Sequence, residues 1–230
     1  MTISKYIIHH LDLSTEVQPV VDAKDSAHYC VFWYRSIPLG EAYLFLEKPI
    51  SAARFWEECI KAISPALTKY AVRHPHYLSH LPELEHDLSS IQHLCDRLLQ
   101  GLHPVDRRNA DISVVICTRN RAGSLRNCLE YLKKQYCQPR EIIVVDNASV
   151  TEDTRLVAEA YNVRYIREER PGLDIARNTG ARAAEGAIVA YTDDDTRPDR
   201  YWIYRISETF SDPAIAAMTG LVIAASLDTE

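Results

Sequence analysis

The second half of the sequence predicts an α/β fold in which helices flank a mostly parallel sheet. Short β-branched runs recur from residue 112 onward, and segments with apolar residues at helical spacing separate them. Near-continuous apolar runs of this kind are typical of parallel strands that helices cover on both faces. The predicted strands are 112–117, 141–145, 163–166 and 187–191.

The intervening segments predict helices with one apolar face. Asn147 and Ser149 stand before the second of them as candidate N-caps, and Gly186 follows the third, where a C′ glycine would stop it. Strand and helix therefore alternate, which is typical of doubly wound α/β layers. The predicted helices are 125–132, 151–161, 173–185 and 201–210.

The first half predicts a small α+β domain. Two aromatic and apolar runs, 29–34 and 41–46, indicate a β-hairpin around a Pro/Gly loop. Apolar residues at helical spacing then predict helices over 51–63 and 84–102. The hairpin aromatics are interpreted as core rather than as a sugar-binding platform: Phe32, Trp33, Tyr34, Tyr43 and Phe45.

A composition shift marks the boundary between the halves. All nine histidines lie between His9 and His103, and Gly, Pro and four charged residues interrupt the periodicity over 101–111. The predicted domains are an N-terminal domain of unknown function over 1–103, a linker over 104–111 and a second domain over 112–230. The histidines at 74, 76, 80 and 86 lie beside helix-breaking prolines without a nearby cysteine, so a polar surface loop is favoured over a zinc site.

Composition excludes several classes of protein. Hydrophobic residues make up 47% of the chain and charged residues 25%, which is the balance of a globular protein with a real core. The net charge of −6 gives no basic field for nucleic acid, so no nucleic-acid partner is expected. The six cysteines form no C-x-x-C pair, and the first residues do not resemble a signal peptide, so a cytoplasmic location is expected.

Polar clusters follow all four predicted strands. They are 118–121, 146–147, 170–178 and 193–195. In open parallel sheets, ligands bind beyond the carboxyl ends of the strands. We therefore expect the four clusters to converge on one crevice.

The cluster Asp193, Asp194 and Asp195 carries the most chemistry. Three consecutive carboxylates repel one another unless a cation or hydrogen-bond donors hold them ionised. Mn²⁺ or Mg²⁺ is the expected cofactor, because both prefer oxygen ligands and combine carboxylates with substrate phosphates. The alternative is an acidic helix cap before 197–199.

Three segments carry a family resemblance: 112–135 (ISVVICTRNRAGSLRNCLEYLKKQ), 142–149 (IIVVDNAS) and 172–195 (GLDIARNTGARAAEGAIVAYTDDD). In this order and spacing they resemble the nucleotide-sugar-binding half of a family 2 glycosyltransferase. The resemblance covers 112–230 and implies a GT-A fold, which is Rossmann-like. It also implies transfer of sugar, with inversion, from a nucleotide-diphosphate sugar to a hydroxyl of a saccharide, lipid or small-molecule acceptor.

The resemblance also implies roles for individual residues. Thr118 would line the nucleotide pocket with Arg119 against the face of the base, Asp146 would bind the base, and Arg177 would reach the nucleotide. Asp193 would lie toward the ribose and Asp195 on the metal, as in a DXD motif, whereas the role of Asp194 stays open. The implied nucleotide-sugar site is Thr118, Arg119, Asn120, Arg121, Asp146, Asn147, Arg177, Asp193 and Asp194, and the implied metal ligands are Asp195 and Asp193.

The resemblance reaches only the donor half of such an enzyme. The acceptor half and its catalytic base would lie beyond the strand-like stretch 218–225, so no residue is assigned as the base. We therefore expect a truncated enzyme that binds donor without transferring sugar. An uncovered sheet edge or apolar face would favour self-association.

Three other functions are found on α/β layers of this kind. A dinucleotide-dependent oxidoreductase needs G-x-G-x-x-G after the first strand, and a nucleotidyltransferase also needs a glycine-rich phosphate loop there. This chain has TRNRAG with Gly123 alone. The remaining alternative is a non-catalytic nucleotide-sugar-binding or interaction module, which an assay of donor hydrolysis or transfer would separate from an enzyme.

Overall fold

The computed structural model of the chain describes residues 6–20, 26–46, 49–72, 87–100, 102 and 110–224. The chain divides into two compact units, Met1–His103 with Thr219–Glu230, and Pro104–Met218. The histidines at 74, 76, 80 and 86 and most of the predicted linker lie outside the described residues.

The first unit holds a three-stranded sheet, β1 (Tyr6–Asp12), β2 (Ser26–Tyr34) and β3 (Ile37–Leu46), in the order β1-β2-β3. β1 and β2 are parallel, and β2 and β3 form the predicted antiparallel hairpin. The strands are longer than predicted, because the turn consists of Arg35 and Ser36 alone. Arg35 adopts a φ of 56°, and its N–H donates to Asp12 Oδ1 at 2.9 Å.

Two helices of the first unit carry buried apolar faces: α1 (Ala52–Ala71) and α2 (Leu88–Leu98). Ser51 Oγ and Asp87 Oδ1 cap them by accepting N–H groups three residues on. α1 extends eight residues beyond its predicted end, through Pro65, because the apolar spacing continues and buries further side chains there.

The predicted core position of Phe45 lies outside the side chains that the structure describes, and the other aromatic residues of the hairpin do not all lie in the core. Phe32 and Tyr34 are buried in the core, as predicted. Tyr43 is 51% exposed and stacks on Tyr29 with ring centroids 4.7 Å apart, so its predicted core position is wrong. The two residues lie on the strand face opposite to Phe32, because side chains alternate along a strand.

The second unit confirms the predicted α/β class. Its sheet has four parallel strands in the order β6-β5-β4-β7, and four helices alternate with them. The strands are β4 (Ala110–Thr118), β5 (Pro139–Asn147), β6 (Arg164–Glu168) and β7 (Ile188–Asp193). The helices are α3 (Ala122–Lys133), α4 (Asp153–Ala160), α5 (Leu173–Ala183) and α6 (Trp202–Thr209).

Helices cover both faces of the second sheet. On one face, Ile116 of β4 packs in a core with Leu129 of α3 and Ile203 of α6. On the other face, Val115 packs in a separate core with Ala176 of α5. This two-sided burial explains why the strands are continuously apolar in sequence.

Three local predictions are wrong. Asn147 and Ser149 do not cap α4, whose N-cap residue is Glu152. Gly186 does not occupy the C′ position, because α5 ends with Ala184 as its C-cap; a Cβ on Gly186 would instead meet Ser113 N at 2.6 Å. The stretch predicted as strand-like over 218–225 forms no strand in its described part, 218–224.

All six cysteines are free thiols. Among the described residues, no helix combines the length and the apolar character needed to cross a membrane.

The fit of α5 against the sheet is testable through two helical glycines. An added Cβ at Gly180 would lie 2.3 Å from Val115 Cγ1, whereas one at Gly123 of α3 would meet nothing within 4 Å. We expect Gly180→Ala to lower the free energy of unfolding by about 1–3 kcal/mol, because the added methyl group would overpack the core. Gly123→Ala should leave it unchanged or raise it by up to ~1 kcal/mol. Urea unfolding measures both, and stabilisation by Gly180→Ala would contradict this packing.

Candidate functional site

The polar clusters that follow the four strands of the second unit are linked at the carboxyl edge of its sheet. Thr118, at the end of β4, bonds to Asp194 after β7. Asn120 N–H donates to Ser149 Oγ, which links the loops after β4 and β5. Asn147 bonds to the loop after β6 through Arg170. The sequence predicts one crevice, and these contacts place all four loops at one edge.

Asp194 is the buried member of the triple aspartate, with 3% of the residue exposed. Thr118 Oγ1 donates to its Oδ2 at 2.6 Å, and Arg121 Nη1 lies 2.9 Å from its Oδ1. Burial raises the pKa of Asp194, although Thr118 and Arg121 act in the opposite direction. Asp194 is therefore a structural carboxylate that points into the protein.

Asp193 and Asp195 are exposed. Their side chains are 64% and 53% accessible. Arg121 Nη2 donates to Asp195 Oδ2 at 2.7 Å, and Arg177 Nη2 lies 3.6 Å from Asp193 Oδ1. The cluster therefore divides into one inward carboxylate and two outward ones, each of which has an arginine beside it.

The donor chemistry of the outward pair fits a divalent cation. Among the described residues, no three His, Cys, Asp or Glu side chains converge as a closed metal cage. Mg²⁺ and Mn²⁺ do not need one, because one or two carboxylates with substrate phosphates and water complete their shells. Asp193 and Asp195 supply two such carboxylates. The alternative of an acidic helix cap does not apply, since α6 begins only at Trp202.

Two predicted site residues, Asn120 and Asn147, hold loops in place. Asn120 adopts a φ of 56°, and its Oδ1 accepts Val150 N–H at 2.7 Å. Asn147 Nδ2 donates to Arg170 O at 2.7 Å, and its Oδ1 accepts Gly172 N–H at 2.8 Å. Both amide side chains thus fix backbone at the sheet edge.

Asp146 is fully buried, with 0% exposure. Its Oδ1 accepts Ser149 N–H at 3.1 Å, and its Oδ2 accepts the Tyr165 hydroxyl at 2.8 Å. Arg167 Nη1 lies 3.5 Å from the same Oδ2 and forms an ion pair with it, while Nη2 donates to Ser149 O. The Arg167 side chain is partly exposed, so the arginine is the solvent-facing member of this pair.

Arg119 differs from the other arginines of the site. Its side chain is exposed and makes no hydrogen bond or ion pair with any described residue.

Two cysteines, Cys117 and Cys128, lie close to the aspartates. Burial raises the pKa of each thiol to about 11, so neither is a thiolate at neutral pH.

Glu168 is not among the site residues predicted from the sequence. This buried carboxylate at the end of β6 accepts Nε and Nη2 of Arg170 at 2.9 and 3.1 Å, and the Thr179 hydroxyl at 2.7 Å. These bonds, with Arg170 first, lower the pKa of Glu168 to about 2. The sequence signal was a run of charges of both signs over 167–170 (REER), but the predicted cluster began only at Arg170. Glu168 fixes the loop that leads into α5, the helix that carries Arg177.

A comparison with known families decides the identity. Residues 113–229, just over half of the chain, match the family described as glycosyl transferase family 2. The chain belongs to this family. The resemblance predicted from the three sequence segments is confirmed.

Curated relatives of this family 2 chain are named as glycosyltransferases. "Glycosyltransferase AglE" of Haloferax volcanii is 32% identical over 123 residues, covering 48% of this chain and 39% of its own length. The "pre-mycofactocin glycosyltransferase" of Mycobacterium tuberculosis is 29% identical, covering 52% of this chain and 25% of its own length. The chain therefore spans between a quarter and two fifths of the length of these relatives.

Solved structures with similarity to the family 2 chain match it weakly. S. aureus TarS, in complex with UDP-GlcNAc, matches with a TM-score of 0.39 and 23% identity, covering 44% of this chain and 31% of that chain. Glucosyl-3-phosphoglycerate synthase from M. tuberculosis, in complex with Mn²⁺ and UDP, matches with a TM-score of 0.36 and 24% identity, covering 40% and 37%.

The Glu168 contacts predict a pH dependence of stability. Because the pKa of Glu168 is lowered from 4.5 to about 2 on folding, its contribution is complete above the unfolded value and is lost as the pH falls from about 5 to about 2. Glu168→Gln should therefore destabilise the chain at pH 6, and its gap to the wild type should shrink toward pH 2.

Urea unfolding at several pH values measures this gap, and exposed Glu152→Gln is the matched control. A gap that stays constant with pH would show that Glu168 contributes by packing and not by its charge.

Proposed function

We propose that the second unit binds a nucleotide-diphosphate sugar through a divalent metal and serves its transfer, with inversion, to an acceptor hydroxyl. The observation that carries the proposal is the division of the triple aspartate. Burial of Asp194 leaves Asp193 and Asp195 exposed at the carboxyl edge of a parallel sheet, where α/β folds bind ligands. Membership of family 2 supports the same reaction class.

Asp193 and Asp195 are the residues that would hold Mn²⁺ or Mg²⁺. Such an ion, when bound, neutralises charge that develops on the leaving diphosphate. Arg177 and Arg121 add fixed positive charge beside the two carboxylates, at 3.6 and 2.7 Å. The diphosphate end of the donor is therefore assigned to this part of the edge.

The nucleoside end is assigned to the loops after β4 and β5. The guanidinium of Arg119 is exposed and pairs with none of the described residues, which suits stacking on the flat face of a base. Asp146 is enclosed by Tyr165 and Arg167, so we assign recognition of the base to Asp146 together with Arg167. Thr118, Asn120 and Asn147 act by holding Asp194 and the loops.

The acceptor and the catalytic base are left unassigned. A base must come within hydrogen-bond reach of the acceptor hydroxyl. The acceptor class remains a saccharide, a lipid or a small molecule. Binding of donor without hydrolysis or transfer would favour the alternative of a non-catalytic nucleotide-sugar-binding module.

The metal assignment predicts that Asp195→Asn will remove metal-dependent donor binding, because the amide keeps the shape of the carboxylate and loses its charge. Changes outside the ligand shell of a metal already cost about 10- to 100-fold in affinity, so this change should cost at least about tenfold. Calorimetry with UDP, GDP, CDP and ADP, each with Mn²⁺ or with EDTA, measures the loss.

Asp212→Asn, at an exposed carboxylate of the same unit, is the matched control and should behave as the wild type. If Asp195→Asn retains the Mn²⁺-dependent affinity of the wild type for every nucleotide that binds, the metal assignment is wrong.

A further inference from the structure

We infer that Arg121 is an exchangeable counter-ion. Its guanidinium pairs with Asp195 in the ligand-free protein, and it exchanges this pair for a hydrogen bond to a phosphate oxygen when a metal-bound nucleoside diphosphate binds. The inference rests on the proposed function for the metal site. It assigns to Arg121 opposite effects on two ligands, the bare divalent cation and the cation with a diphosphate.

The two carboxylates that Arg121 joins differ in how firmly they are held. Asp194 is buried, and its second oxygen accepts the Thr118 hydroxyl. Asp195 is half-exposed, and among the described residues Arg121 is its partner. Breaking the ion pair between Arg121 and Asp194 would leave a buried carboxylate without its counter-ion, which is costly. The ion pair with Asp195 is exposed, and exposed ion pairs are weak.

Arg121 and a divalent cation compete for the same carboxylate. The guanidinium donates directly to Asp195 Oδ2 at 2.7 Å, so a cation on Asp195 either displaces that bond or lies beside a positive charge. The guanidinium stays charged at any working pH. Arg121 therefore weakens binding of the metal alone.

A diphosphate reverses the balance. Its oxygens bring negative charge to the cation and offer the freed Nη2 of Arg121 a new acceptor. Arginine forms strong hydrogen bonds with phosphate, often through two parallel N–H groups. The ion pair with Asp194 keeps the guanidinium in place during the exchange, since Nη1 lies 2.9 Å from Asp194 Oδ1 and that contact is not exchanged. Arg121 therefore strengthens binding of metal and diphosphate together.

The geometry also distinguishes arginine from lysine at this position. A guanidinium spans two carboxylates with two nitrogens, as Nη1 and Nη2 do here. A single ammonium group is a compact point charge that cannot hold both in this fork. Arg121→Lys should therefore keep charge beside the buried Asp194 and release Asp195.

The test measures Mn²⁺ alone, and then UDP, GDP, CDP and ADP at saturating Mn²⁺, on the full chain and on two variants. Arg121→Gln should bind Mn²⁺ alone about three- to fivefold more tightly, which is the scale of an exposed ion pair. It should bind the nucleotide that the wild type prefers about tenfold more weakly, which is the scale of a charged hydrogen bond. Arg121→Lys should shift both values in the same directions by less.

Arg126→Gln on α3, an exposed arginine without an ion pair to any described residue, is the matched control and should change neither affinity. Far-ultraviolet circular dichroism confirms folding of each variant, and Arg121→Lys carries the test if Arg121→Gln does not fold.

The inference is wrong if Arg121→Gln, or Arg121→Lys where it carries the test, binds Mn²⁺ alone no more tightly than the wild type. It is also wrong if the affinities for Mn²⁺ alone and for the nucleotide with Mn²⁺ shift in the same direction. The proposed function fails separately, if the wild type binds none of the four nucleotides with Mn²⁺. The comparison with Mn²⁺ alone then still decides whether Arg121 competes for Asp195.

Discussion

The arrangement of the site depends on one buried carboxylate. Asp194 lies inside the protein because Thr118, at the end of β4, donates to it and Arg121, at the start of α3, forms an ion pair with it. Its two neighbours in sequence are then left at the surface. These contacts restrict the position of the loop after β7, because a shift of the loop would leave the buried Asp194 carboxylate unpaired.

Polar side chains fix the rest of the carboxyl edge in the same way. Asn120 joins the loops after β4 and β5, Asn147 holds the loop after β6, and Glu168 holds the entry to α5. Among the described residues, every buried side-chain N or O atom has a hydrogen-bond partner. The apolar core thus sets the sheet, and these bonds set the surface that faces the ligand.

The sequence predicted the elements of the second unit well and their polar contacts poorly. The strands could be predicted because burial on both faces requires continuous apolar runs in the sequence. The convergence of the loops could be predicted because the carboxyl ends of parallel strands lie at one edge of the sheet. The roles of Asn147 and Ser149 could not be predicted in this way, because the residues that they bond lie in other loops. The local sequence is equally consistent with helix N-caps at these two positions. The inward turn of Asp194 and the role of Glu168 likewise depend on distant partners, and no local pattern indicated the function of the first unit.

The central claim is that this edge binds a nucleoside diphosphate with a divalent cation, and a thermal-shift panel tests it most directly. The chain is heated with UDP, GDP, CDP and ADP and with their sugars, each with Mn²⁺ or with EDTA. A ligand at 100 times its Kd stabilises the folded state by about 2.7 kcal/mol, which raises the unfolding temperature by several degrees. We expect such a rise for at least one nucleotide, and a larger rise with Mn²⁺ than with EDTA. No rise with any nucleotide, or an equal rise in EDTA, would contradict the claim.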